Sequence, residues 1–357
     1  MVVKQFKEEM TGLERALAAL SYKKPDRVPV ASLVCGASRR ILGVTYDKWA
    51  TDSELCAESM LQAHALMDFD IFVTLVDLSV EAESFGQPCI YPMESTPYSD
   101  PNHPILKSHE DYHKIETVNL RETGRTKMVI DVVNRIAKAK GKECGVCGFV
   151  YAPLGVLGAM RGHERMFIDC IKHREDLIAA CEAITPALID YAVAQVEAGA
   201  HAIVMDTLYA SATIMSPKMW EAIEAPFTKR IADAVKAAGG ALVLHNCGGG
   251  IYFDVQQKYT DPVAISHAYP AADCKSWEEH AAKWGKKIVS IGSMDPAKVG
   301  MTLDPQGVME YTREFIEYFK DCDGGFILST GCEFPPNGSL LNAIAIMDAA
   351  KAYGSYR

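Results

Sequence analysis

The chain has no run of Lys and Arg longer than a pair, and its formal net charge is −10. Neutralising phosphates takes clustered cations, so nucleic acid is excluded as a main partner. The start, Met1 to Glu9, has no signal-peptide core. No apolar run of membrane length occurs either, because the most apolar region, 178–205, is broken by Glu182, Asp190 and Glu197. No glycine-rich dinucleotide fingerprint follows the first strand. Eleven cysteines are present, but with no secretory signal they are expected to be reduced thiols. Cys144-x-x-Cys147 has no second such pair, and on a strand those two positions face opposite ways. These absences leave a cytoplasmic chain of enzyme size with no nucleic-acid or membrane partner.

Along the chain, short apolar runs alternate with helical patterns. An amphipathic helix is expected over 12–20, then a strand through Val28 to Val34, then a helix over 53–67 with Ser53 as its cap. Further strands are expected at 71–76, 145–151, 202–205, 241–244, 263–266, 287–291 and 325–328. Helices are expected between them, among them one from Ser216-Pro217 to Ala238 and others over 305–319 and 340–353. Runs without alternation suit strands buried on both faces. About eight β/α repeats predict a closed (β/α)₈ TIM barrel rather than an open doubly wound sheet. A single domain over residues 1–357 is expected, with a frayed N-terminal segment and an irregular excursion around 86–126.

In such a barrel the reactive groups gather at the C-terminal ends of the strands. Asp77, Asp206, His245, Cys247, His267 and Cys332 fall at or just past those ends. One imidazole and two thiolates are a favoured zinc set with a fourth position left open. His245, Cys247 and Cys332 are therefore the expected metal ligands and catalytic centre. Asp206, Asp77, Asn246, Glu333 and His267 are candidates for substrate contact or for orienting the ligands. A thiol bound to such an ion loses its proton and stays nucleophilic at neutral pH, which suits alkyl transfer to sulfur.

Several stretches carry a family resemblance: Arg27-Val28-Pro29-Val30, Glu81-Ala82-Glu83-Ser84-Phe85-Gly86, Met215-Ser216-Pro217-Lys218-Met219-Trp220, His245-Asn246-Cys247-Gly248-Gly249, Gly292-Ser293-Met294-Asp295-Pro296 and Gly331-Cys332-Glu333-Phe334-Pro335-Pro336. The chain resembles the uroporphyrinogen decarboxylase superfamily and, within it, the zinc-dependent corrinoid methyltransferase branch, which includes the methylcobamide:coenzyme M methyltransferases. The resemblance implies Zn²⁺ held by His245, Cys247 and Cys332. It also implies a cobalamin (corrinoid) cofactor carried on a separate corrinoid protein, since this chain has no Asp-x-His-x-x-Gly corrinoid segment. The implied reaction moves a methyl group between that corrinoid and a small molecule, either a thiol acceptor of the coenzyme M kind or an O-, N- or S-methyl donor.

Two departures stand out. Arg39-Arg40 lacks the Gly-Arg-Tyr context of the decarboxylases' Arg-rich loop, and Pro335-Pro336-Asn337-Gly338-Ser339 replaces the family's Pro-x-Thr-Pro. The rival expectations are metal-free tetrapyrrole decarboxylation and a non-catalytic barrel stabilised by zinc. The oligomeric state is left open, a homodimer included.

Overall fold

The computed structural model describes residues 8–356. The first seven residues of the expected frayed start lie outside them. Eight parallel strands form one sheet among the described residues: β1 Ala31–Ser32, β2 Ile71–Val73, β3 Gly145–Tyr151, β4 Ala202–Asp206, β5 Ala241–Asn246, β6 Ala264–His267, β7 Val289–Met294 and β8 Phe326–Thr330. Each pairs with the next in chain order, and a parallel bridge between Val30 and Leu328 joins the last strand to the first. The Leu328 amide donates to the Pro29 carbonyl at 2.8 Å across that seam. The barrel is closed.

The strands read as unbroken apolar runs because both faces are buried, one toward the barrel interior and one toward the helices. β2, β4, β7 and β8 are buried at every position. The helix Arg174–Glu197 is long and apolar enough to cross a membrane by length and composition, and 56% of its most apolar window is buried in the fold.

Local signals account for most element ends. The helix over Ser53–Met67 forms as expected, but its cap is Asp52, whose carboxylate accepts from the Glu54 and Leu55 amides. The single helix expected from Ser216 to Ala238 is two, Pro217–Ile223 and Ala225–Ala237. Pro226 has no amide proton, and its ring clashes with the carbonyl four residues back, so the first helix stops before it. Two helices not expected from the pattern, Pro153–Arg161 and Phe253–Thr260, follow β3 and β5. The excursion between residues 86 and 123 holds an antiparallel pair, Cys89–Ile90 with Tyr98–Ser99, and a 3₁₀ turn over His109–Lys114.

Candidate metal centre at the barrel mouth

β4 and β5 pair so that Asp206 lies opposite His245. Both residues point inward, and Cys247, two residues beyond His245, returns to the same side. Cys332 arrives from β8, two residues past its last strand residue. Its approach is set by Gly331, whose amide donates to the Met294 carbonyl at 2.7 Å. Donor atoms of His245, Cys247 and Cys332 all lie within 4.8 Å of one another.

The imidazole of His245 is oriented from behind. Its Nδ1 lies 3.0 Å from the Ser266 hydroxyl, which leaves Nε2 for a ligand. Asn246, between His245 and Cys247, faces away from the cavity and braces the loop. Its Nδ2 donates to the Thr207 carbonyl at 2.6 Å, and its Oδ1 accepts from the Gly248 amide at 2.8 Å.

Burial disfavours a charged His245, yet hydrogen bonding to Cys332 and the Asp206 carboxylate outweigh it and raise its pKa. The Cys247 thiol is lowered, because hydrogen bonding to Cys332 exceeds the cost of burial. Cys332 is raised strongly by Cys247 and by burial. The two sulfurs thus form a coupled pair whose titration belongs to both. A divalent cation displaces the protons of thiols. The donor set, its compactness and the Ser266 contact on the far ring nitrogen all fit zinc.

The other candidates divide. Asp206 is 3% exposed, and its Oδ1 has no hydrogen-bond partner among the described residues. Burial lifts its pKa to about 6 against the pull of His245. Glu333 lines the same cavity and takes the Gly36 amide at 3.3 Å, and burial pushes its pKa to about 8. Asp77 also faces the cavity but is already engaged by Arg125, by the Ser79 amide at 2.8 Å and by the Ser79 hydroxyl at 2.5 Å.

His267 is not at the site. β6 turns Ser266 inward and His267 outward, where its Nδ1 lies 2.9 Å from the Tyr269 carbonyl oxygen. There its ring packs among Phe253, Trp277 and His280. Strand parity is the signal that separates them, since Ser266 is the register partner of His245. The Cys144 and Cys147 pair splits as expected, with Cys144 3.2 Å from His64 outside the barrel and Cys147 facing the interior.

Two features went unread in the sequence. Arg125, on the helix Gly124–Lys140, ties Asp77 to Glu83. A second donor cluster, His109, His173 and Asp176, is half-buried. It lies where the excursion meets the helix Arg174–Glu197, and Asp176 already pairs there with His109 and His113.

Comparison with known proteins adds the following. The family model described as uroporphyrinogen decarboxylase (URO-D) matches residues 11–353. A methylcobamide:CoM methyltransferase, MtbA, of Methanosarcina acetivorans is 24% identical, over 97% of this chain and 99% of its own length. A methylated-thiol–coenzyme M methyltransferase of Methanosarcina mazei is 23% identical, over 96% of this chain and 90% of its own. Among solved structures, a methyltransferase from Methanosarcina mazei superposes with a TM-score of 0.81 at 22% identity, covering 96% of this chain and 98% of that one.

Proposed function

We propose that this chain, which belongs to the uroporphyrinogen decarboxylase family, is a zinc-dependent methyltransferase. In this reading it moves a methyl group between a corrinoid on a separate protein, docked over the barrel mouth, and the heteroatom of a small molecule. The observation that carries the reading is the convergence of His245, Cys247 and Cys332 donor atoms within 4.8 Å. Relatives that align over nearly the whole chain and bear the name of methylcobamide:CoM methyltransferases support it.

His245, Cys247 and Cys332 would hold the ion and leave a position facing the cavity. Bound there, zinc supplies Lewis acidity that stabilises negative charge on the heteroatom gaining or losing the methyl group. Ser266 keeps the imidazole in one tautomer and one orientation. The Asp206 carboxylate, with an acceptor atom that no described residue fills, would orient a donor proton of the substrate. Apolar walls below the mouth exclude water and hold the small molecule in line for transfer.

Tetrapyrrole decarboxylation is the less supported alternative. Arg39 is spent on Glu94 and Asn337, and Arg40 on the Gly338 carbonyl, so neither lines the cavity to meet a polyanion.

The test is zinc analysis combined with methyl transfer to or from added cobalamin, followed by its visible spectrum, for wild type and Cys332→Ser. The expected outcome is about one zinc per chain in the wild type. The variant should stay folded, lose zinc affinity by roughly 100-fold or more and lose methyl transfer. A metal-free wild type that decarboxylates porphyrinogens would overturn the reading, as would a Cys332→Ser chain that cannot fold, the mark of purely structural zinc.

A further inference from the structure

Barrels of this kind ordinarily fill their interior with layers of large side chains. Here the inward positions at the start of four strands carry Ala31, Gly145, Ala202 and Ala241, and a cavity of about 410 Å³ runs from them up to His245, Cys247 and Cys332. Ala241 and His245 lie four residues apart on β5, about 13 Å of extended chain. Leu33, Leu75, Cys147 and Ala241 keep partial exposure, although helices cover the outside of their strands. Their free surface faces this space. An apolar cavity of about 150 Å³ is enough to hold benzene, so there is room for a substituted ring or a chain of several carbons.

The chemistry of the wall is one-sided. Below the mouth it is Val204, Val243, Phe149, Ile291 and Ile327. Among the described residues no Lys or Arg lines it, and the carboxylates, Asp77, Asp206 and Glu333, gather at the mouth beside the cysteines. A sulfonate, phosphate or carboxylate on the substrate would enter without a counter-charge, in surroundings that cannot satisfy it.

We propose that the small-molecule partner in methyl transfer is an uncharged compound with an apolar body, an alkyl chain or an aryl ring. That body descends toward Ala202 and Ala241 while its sulfur or oxygen faces His245, Cys247 and Cys332. The proposal rests on the metal-centre reading given above, and it separates this chain from an enzyme built for a small anionic thiol such as 2-mercaptoethanesulfonate.

The experiment uses full-length protein loaded with Co²⁺ in place of zinc and reads the change that an added thiol makes in the thiolate-to-cobalt absorption band already supplied by Cys247 and Cys332. Ethanethiol, butane-1-thiol, hexane-1-thiol and 2-mercaptoethanesulfonate are titrated in turn. The expected result is affinity rising about fourfold per methylene from ethyl to butyl, with the sulfonate roughly 10-fold or more weaker than ethanethiol. Ala241→Leu and Ala202→Leu should weaken binding of hexane-1-thiol, whose chain descends furthest, relative to wild type, while the spectrum of the cobalt protein without added thiol stays unchanged. Affinity that ignores chain length, or a sulfonate that binds more tightly than ethanethiol, overturns the proposal on the wild type alone. If the Co²⁺-loaded protein shows no thiolate-to-cobalt band before any thiol is added, the metal reading itself has failed, and calorimetry of anisole with metal-free protein decides the cavity separately. Binding that Ala241→Leu abolishes upholds it, and no binding overturns it.

Discussion

At the scale of the residue, the site depends on parity along extended chain. His245 and Cys247 share a side because they are two apart, whereas Ser266 and His267 are one apart and face opposite ways. A side chain of the wrong parity is lost to the aromatic layer outside the barrel, however suitable its chemistry. The same scale explains Gly331. A Cβ there would sit 2.5 Å from the Ala268 Cα and 2.7 Å from its Cβ. That obstacle is backbone, which cannot swing aside, so Gly331→Ala must push the end of β8 and carry Cys332 with it. The expected outcome is a 10- to 100-fold loss of zinc affinity, roughly what displaced supporting groups cost. A loss of about 1–3 kcal/mol in stability should accompany it. Chelator competition and thermal melting measure the two. Zinc affinity equal to wild type would show that Cys332 is placed by something other than this close approach.

At the scale of the element, the short helix Val80–Ser84 shows what a motif can and cannot say. Glu81 and Glu83 stand out in the sequence as part of a family-like stretch, but their separate tasks become visible only where the chain closes. Glu83 pairs with Arg125, and Glu81, 1% exposed, accepts the Tyr151 amide at 2.8 Å at the end of β3. Burial lifts the Glu81 pKa to about 7, although the Tyr151 amide pulls it down. In the unfolded chain the group returns to its ordinary value of about 4.3. Between those values the folded protein holds a proton that the unfolded chain has released. Stability therefore falls as pH rises through that window, by at most about 1.4 kcal/mol per pH unit from this group. Glu81→Gln keeps an acceptor for Tyr151 and cannot ionise, so its melting temperature should fall less than the wild type's between pH 5 and pH 8. Parallel slopes for the two proteins would show that Glu81 is charged in the fold throughout.

At the scale of the whole molecule, the barrel was readable because each strand is a compact apolar run and each helix carries its own start and stop. The helix after β3 was missed because Pro153–Arg161 is buried almost all round and shows no polar face. The break at Glu224 needed weight on Pro226. Of the site, His245 and Cys247 are legible from local spacing, and Cys332 from its strand-end position together with the family-like stretch around it. Ser266 and Arg125 were not legible. A serine in a strand and an arginine in a helix are ordinary until the barrel closes and brings them against His245 and Asp77.

The stretch Arg27-Val28-Pro29-Val30 has a meaning of the same long-range kind, at the opposite end of the barrel from the metal centre. Arg27 is fully buried, and its guanidinium donates to Asp70 at 2.7 and 3.1 Å. Asp70 also takes Arg15 at 2.5 Å and the Val30 amide at 2.8 Å, while Arg15 reaches back to Asp26 at 2.6 Å. One carboxylate thus ties the helix Gly12–Leu20, the entry to β1 and the entry to β2. Removing it takes one carboxylate from two buried guanidiniums, leaving Arg15 to Asp26 and Arg27 to Glu8, and a broken buried pair costs about 3–5 kcal/mol. Asp70→Ala should therefore lower stability by that order in denaturant melts. A double variant, Asp70→Ala with Arg27→Met, should regain part of the loss, because one of the two buried cations that share Asp70 is gone. If the double variant is no more stable than the single, the cost lies in the lost Val30 contact rather than in the buried charge. The network would then serve as a cap on β1, not as the electrostatic clasp that closes the floor beneath the cavity.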